Sequence, residues 1–187
     1  MNSNQKYVIL DRDGVINVDS KHYIKCPAEW VPIEGSLDAI ARLSNAGYTV
    51  VVATNQSGLA RGLFTQSDLD EIHGKLKSEL KKIEVSLGGI FFCPHSPNAN
   101  CNCRKPRTGM LDQIESFFSC NLKGAPFIGD SVKDIQAAQH HGCKPLLVGT
   151  GNGHLSRTEL LGNGNQDFDY YADLASAVDA LLKNENP

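Results

Sequence analysis

The chain lacks several features that would steer its reading elsewhere. No apolar run approaches the ~18 residues that a bilayer-spanning helix needs, so no membrane segment is expected. Charge of one sign is not in excess. The net charge is −3 and the isoelectric point is near 6.0, which gives no electrostatic case for nucleic acid or a membrane surface as partner. The opening residues Met1 to Gln5 are polar and lack the apolar core of a signal peptide, so the cytoplasm is the expected compartment. No internal repeat or low-complexity tract is visible. The six cysteines do not read as a secreted disulfide scaffold. Three of them crowd into Cys93 to Cys103, a pattern of metal binding in a reducing compartment.

What is there is ordinary for a globular protein: 187 residues, 41% hydrophobic and 21% charged. One domain over residues 1–187 is expected. Strand-like runs alternate with helical patterns. Lys6 to Leu10 favours a strand, and a long polar stretch follows to Pro32. Leu37 to Ala46 carries a helical stripe closed by Gly47. Tyr48 to Ala53 is a continuous apolar run, fitting a strand covered on both faces. A helix starts after Thr65, with Asp68 placed for a capping box, and reaches about Lys82. Further strands are expected over Gly89 to Phe92, Ala125 to Ile128 and Pro145 to Val148. Further helices are expected over Met110 to Phe118, from Ser131 to Gly142, and over Asp173 to Leu182. Gly149 to Gly164 is glycine-rich and reads as loop. The alternation predicts an α/β fold of Rossmann-like type, a parallel sheet with helices on both faces.

In such sheets ligands bind beyond the carboxyl ends of the strands. Each polar cluster of the chain falls at such an end. Asp11 and Asp13 leave the first strand together, and on extended backbone i and i+2 face one side. Asp130 follows an apolar strand and a glycine. Three carboxylates on one rim repel unless a cation neutralises them, and oxygen ligands with phosphate suit Mg²⁺. A carboxylate can also attack phosphorus. Thr54 offers a hydroxyl and Lys105 a mobile cation for phosphate oxygens. Taken singly, these residues could equally be turn aspartates, a capping threonine and a solvated lysine; their shared rim favours function. Asp134 is read as a helix cap, with a supporting role behind the site as the alternative. Cys93, His95, Cys101 and Cys103 form C-x-H-x5-C-x-C, the donor set of a closed tetrahedral zinc site. Four protein donors leave no place for water, so this Zn²⁺ is expected to be structural, ordering the polar loop that presents Arg104 and Lys105. The alternative is a pair of buried cysteines plus a loop histidine. Cys26, Cys120 and Cys143 read as small apolar residues, and no role is assigned to His73, His140 or His141.

Asp11-Arg12-Asp13-Gly14, Thr54, Lys105 and Gly129-Asp130, in this order, resemble the haloacid-dehalogenase-like phosphatases over nearly the whole chain. The resemblance implies Asp11 as nucleophile and Asp13 as general acid and base. It implies catalytic Mg²⁺ on Asp11, Asp130 and the backbone carbonyl of Asp13. No stretch is long enough for an inserted cap domain, so the capless subgroup fits. Within it, Asp11 to Asn17, Thr54 to Gly62, the Cys/His loop and Arg104-Lys105-Pro106 resemble the family that removes the C7 phosphate of a heptose 1,7-bisphosphate. That family implies a cytoplasmic monomer serving ADP-heptose and lipopolysaccharide core synthesis, with a sugar bisphosphate as its small-molecule partner. It implies substrate contacts from Asp19, Ser20, Lys21, His22, Asn55, Gln56, Ser57 and Arg104. Two departures stand out: the x5 zinc loop is short, as in histidinol-phosphatase relatives, and Ser131 stands where a lysine can occur. Histidinol-phosphate phosphatase is thus the alternative enzyme. A catalytically inactive zinc-loop binding protein is the alternative of another class.

Overall fold

The strands are built from β-branched and aromatic runs, and their side chains alternate between two buried faces. In the computed structural model, which describes residues 5–183, β1 is Lys6–Leu10, β2 Tyr48–Asn55, β3 Gly89–Cys93, β4 Pro126–Gly129, β5 Lys144–Val148 and β6 Asp169–Tyr171. Met1 to Asn4, most of the stretch read above as lacking a signal core, lie outside the described residues. The six strands form one parallel sheet in the order β3-β2-β1-β4-β5-β6. The helices are α1 (Ser36–Asn45), α2 (Gln66–Lys82), α3 (Gly109–Phe118), α4 (Val132–His141), α5 (Gly153–Gly162) and α6 (Leu174–Lys183).

One face of the sheet carries Val8, Leu10, Val50 and Val52, and α1, α2 and α6 pack there through Ile40, Leu76 and Val178. The opposite face carries Ile9, Val51 and Ala53 against Leu111 and Ile114 of α3 and Ala137 and Ala138 of α4. Leu160 of α5 meets Leu147 and Ile135 on that side. Each of the buried Val, Leu and Ile side chains among these contributes roughly 1.5–3 kcal/mol by leaving water. The expected α/β architecture with helices on both faces is therefore present, and no cap domain interrupts it among the described residues. The capping box at α2 is present too: Thr65 N donates to Asp68 Oδ2 at 2.7 Å and Asp68 N to Thr65 Oγ1 at 3.2 Å.

Two expectations need correction. Gly149 to Gly164 is not all loop, because Gly153–Gly162 forms α5. Its buried Gly153, Ser156 and Leu160 make a narrow stripe in which Leu160 is the one large apolar side chain. Tertiary packing, not propensity, stabilises such a helix. The sheet also has a sixth strand, where five were expected. β6 is three residues long and pairs only with β5, too short for an apolar pattern to show.

The order of strands fixes the site. The chain moves outward from β1 through β2 to β3 on one side, and through β4, β5 and β6 on the other. The crevice between β1 and β4 is the switch point where ligands bind in sheets of this kind. Asp11 follows β1 and Asp130 follows β4.

Candidate active site

Asp11, Asp130 and Asp134 bring carboxylate oxygens within 4.8 Å of one another, and all three are buried. Lys105 reaches into the same space. Its Nζ lies 3.0 Å from Asp11 Oδ2 and 2.6 Å from Asp134 Oδ1, and donates to Ala53 O at 2.7 Å. Burial alone would lower the pKa of Lys105, but Asp11 and Asp134 outweigh it and the pKa is raised. One lysine does not balance three carboxylates. Burial, with Asp134 and neighbouring carboxylates adding to it, pushes Asp11 up to about 7 and Asp130 up to about 8. This excess of buried negative charge is what a hard divalent cation with oxygen ligands fits.

The backbone here is shaped for close approach. A Cβ on Gly14 (φ 79°) or on Gly151 (φ 57°) would sit 2.2 Å from Asp130 Oδ2. Only glycine permits both the conformation and the contact. Asp130 Oδ2 accepts from Asn152 N at 2.7 Å and from Asn152 Nδ2 at 3.2 Å. The Asn152 amide also donates to Asp19 Oδ2 at 2.9 Å, tying the loop after β5 to the loop after β1.

Asp13 faces a different set of partners. Arg12 donates to both of its oxygens at 2.8–3.1 Å, Asn17 Nδ2 to Oδ1 at 2.9 Å, and Gln56 Nε2 to Oδ2 at 2.9 Å. Burial would raise the pKa of Asp13, but the Arg12 charge and these donors reverse the effect and lower it. Thr54 is buried at the end of β2, and its Oγ1 accepts from Gln56 Nε2 at 2.9 Å. Asn55 exchanges two hydrogen bonds with the Lys105 backbone, 3.1 Å to its N–H and 3.2 Å to its carbonyl. That clamp holds the segment leaving the Cys/His loop against the end of β2.

A cleft of about 200 Å³ opens over this rim, lined by ten of the expected residues: Asp11, Asp13, Asp19, Ser20, Thr54, Asn55, Gln56, Arg104, Lys105 and Asp130. Three others stand apart from it. Lys21 lines a neighbouring hollow with Val18 and Thr150. His22 is exposed, with its backbone N–H on Ser20 Oγ, and Ser57 is buried. Tyr23, Lys133 and Asn152 line the cleft without having been expected.

The Cys/His loop also converges. Cys93 Sγ lies 3.2 Å from Cys103 Sγ and 3.7 Å from Cys101 Sγ, and His95 Nδ1 lies 3.2 Å from Cys103 Sγ and 3.6 Å from Cys93 Sγ. Tetrahedral sulfur ligands at 2.3 Å from one metal would be about 3.8 Å apart, so the cluster has the size of a metal site. Burial pushes the Cys93 thiol up to about 12. A bound cation would reverse that by stabilising the thiolate.

This geometry has relatives. A model of the HAD-hydrolase-like family matches residues 102–177. The D-glycero-β-D-manno-heptose-1,7-bisphosphate 7-phosphatase of Pseudomonas aeruginosa is 48% identical, covering 94% of this chain and 97% of its own. That of Bordetella bronchiseptica is 47% identical, over 95% of this chain and 98% of its own. The chain belongs to this HAD-like phosphatase family. A crystal structure of the Bordetella bronchiseptica D,D-heptose 1,7-bisphosphate phosphatase, complexed with magnesium and phosphate, matches with TM-score 0.90 at 46% identity, covering 96% of this chain and 99% of that one.

Within the family fold, the site holds more than the motifs announce. Asp134 caps α4, accepting from Ser131 N at 3.0 Å and Ser131 Oγ at 2.6 Å, and it also pairs with Lys105 inside the site. Its position in a capping pattern favoured the cap reading over the supporting role that it also has. Asn152 came from a stretch read as loop. Arg12 and His73, 3.1 Å apart, carried no pattern at all, since one lies between two motif residues and the other on a helix 61 positions later.

Proposed function

We propose that this chain is a Mg²⁺-dependent phosphatase that removes the C7 phosphate of D-glycero-D-manno-heptose 1,7-bisphosphate through an aspartyl-phosphate. The observation that carries the reading is the rim itself: three buried carboxylates with one buried lysine at the β1/β4 switch point, in a chain 48% identical to a phosphatase of that name. Asp11, Asp130 and the backbone carbonyl of Asp13 would hold Mg²⁺. When bound, that ion neutralises the rim and the phosphoryl oxygens.

Asp11 Oδ attacks phosphorus, the bond from phosphorus to the sugar oxygen breaks, and that oxygen takes the proton of Asp13. Asp13 then accepts a proton from the water that hydrolyses the aspartyl-phosphate. Its Arg12 clamp favours the carboxylate, which suits this second half. The first half draws on a protonated fraction whose acidity is correspondingly high. Lys105 and the Thr54 hydroxyl stabilise charge on the transferring group. Asn55 and Gln56 hold Lys105 and Asp13 in place. Asp19, Ser20 and Arg104 meet the sugar and its remaining phosphate, with Arg104 suited to bidentate contact. Zn²⁺ in the Cys93, His95, Cys101 and Cys103 cluster orders the segment from which Arg104 and Lys105 project. The enzyme acts as a cytoplasmic monomer in lipopolysaccharide precursor synthesis; no helix among the described residues is long and apolar enough to cross a membrane.

The test compares kcat/KM for heptose 1,7-bisphosphate and histidinol phosphate, with NMR identifying the phosphate left behind. Preference for the heptose with the C1 phosphate retained is expected, because Arg104 repels the cationic amine of histidinol phosphate. Preference for histidinol phosphate would overturn the substrate assignment while leaving the phosphatase chemistry standing.

A further inference from the structure

His73 lies on α2 and takes no part in the chemistry above. It is nonetheless buried, with Nε2 3.1 Å from Arg12 Nη1. A guanidinium has only donors and keeps its proton, so Arg12 donates and His73 Nε2 accepts. The ring is therefore neutral, with its hydrogen on Nδ1. Burial first, and the Arg12 charge second, push the His73 pKa down to about 4, consistent with a neutral ring. The ring also packs against Phe92 of β3, centroids 5.9 Å apart.

Arg12 is fully buried, and the other end of its fork meets Asp13. Nε donates to Asp13 Oδ1 at 3.1 Å, and Nη2 to Oδ1 at 2.9 Å and Oδ2 at 2.8 Å. The guanidinium is planar and rigid, so a partner on Nη1 sets the plane in which Nε and Nη2 meet the carboxylate. Gln56 Oε1 accepts from Nη2 at 3.2 Å and closes the other side.

We propose that His73 is a positioning residue: acting through Arg12, it fixes the direction of the Asp13 carboxylate that exchanges protons with the leaving oxygen and the attacking water. The inference rests on the role given to Asp13 above.

Two variants and two substrates test it. His73→Leu keeps bulk but removes the acceptor, whereas His73→Gln restores an acceptor oxygen. From heptose 1,7-bisphosphate the leaving group is the C7 alkoxide of heptose 1-phosphate, which needs a proton; from p-nitrophenyl phosphate it is p-nitrophenolate, which does not. kcat/KM reports the first half of the reaction alone. For His73→Leu it falls about tenfold or more on the sugar bisphosphate, part of the ~10²–10⁴ that general acid catalysis supplies. On p-nitrophenyl phosphate it stays within about twofold, and His73→Gln recovers most of the sugar bisphosphate activity. His73→Asn, polar but too short to reach Arg12, gives the same comparison should the leucine variant fail to fold. Equal losses on both substrates, or an unchanged rate on the sugar bisphosphate, overturn the inference. Asp13→Asn is measured alongside. If it discriminates between the substrates and the His73 variants do not, only the positioning role falls. If Asp13→Asn loses both substrates equally, the acid role of Asp13 falls and takes the inference with it.

Discussion

The acidic rim and the Cys/His loop each gather a metal's donors, but they are ordered by opposite means. The rim residues stand at strand ends, buried and tied by hydrogen bonds, with Lys105 supplying a built-in cation. The core fixes their geometry whether or not an ion is bound. The loop from Pro94 to Thr108 contains no regular element, and of its four metal donors only Cys93, at the end of β3, is buried. Of the other donors, His95 is exposed and Cys101 and Cys103 are half-buried. On the proposed reading, the rim arranges its ion for chemistry, while the loop borrows its order from its ion. Hard oxygen ligands on one side and soft thiolates on the other match that division.

The contrast breaks most sharply at Asp11. Asp11→Asn keeps the shape and the core but removes both nucleophile and metal charge. Turnover is expected to fall by ~10⁴-fold or more while the melting temperature does not drop. Near-normal kcat in this variant would rule out the aspartyl-phosphate. The loop responds in the other way. One zinc per chain is expected in protein purified without chelator, and Cys101→Ala should loosen the loop, with a ~10–100-fold loss of kcat/KM as Arg104 and Lys105 lose their frame. Limited proteolysis should then cut between Pro94 and Thr108 and leave the rest of the sheet protected. Metal analysis that finds no zinc removes this site.

A smaller effect separates stability from function at the rim. The folded pKa values of Asp11 and Asp130, about 7 and about 8, lie above the ordinary value of 3.8. Without metal the folded state thus holds more protons than the unfolded one across that range, and stability is lost as pH rises through 7 to 8. A divalent cation competes with those protons, so the gain in melting temperature on adding Mg²⁺ should be larger at pH 8.5 than at pH 6. Asp130→Asn removes one buried charge. Its metal-free form should be about 1–2 kcal/mol more stable than the metal-free parent at pH 8.5, roughly 3–6 °C, while Mg²⁺ no longer adds to it. Calorimetry at the two pH values checks both statements.

The rim was legible in the sequence because chemistry and topology coincide there. Asp11, Thr54 and Asp130 each follow an apolar run, Lys105 closes the Cys/His loop that another such run enters, and a parallel sheet must bring the ends of such runs together. The Cys/His loop was legible because ligand spacing is itself a pattern. What escaped had no pattern to carry it. α5 shows only Gly153, Ser156 and Leu160 to the core, and β6 is three residues on the edge of the sheet. Asp134 does two things at once, and its capping position made the contact with Lys105 the lesser of two expectations. His73 looked idle because its partner is 61 positions away and reaches it through the interior. Lys21 and His22, in the long loop after β1, and Ser57, in the turn after β2, were assigned from family resemblance rather than from a pattern of their own, and they stand outside the rim cleft.

The smallest effect expected here tests how much of the rim's order comes from backbone rather than side chain. Asn152 holds Asp130 twice, through its N–H at 2.7 Å and through its amide at 3.2 Å, and the same amide reaches Asp19 at 2.9 Å. Asn152→Ala removes the two side-chain contacts and leaves the shorter backbone one. Each lost contact between the amide and a carboxylate contributes about 1 kcal/mol, and only the one to Asp130 bears on the metal site. Asp130 keeps its N–H donor and its place between Gly14 and Gly151, so the Mg²⁺ concentration for half-maximal activity should rise only about threefold to fivefold, with kcat at saturating Mg²⁺ nearly unchanged. If instead kcat collapses at saturating Mg²⁺, the loop after β5 acts on the reacting phosphate directly, and the rim is less fixed by its strands than the loop by its thiolates.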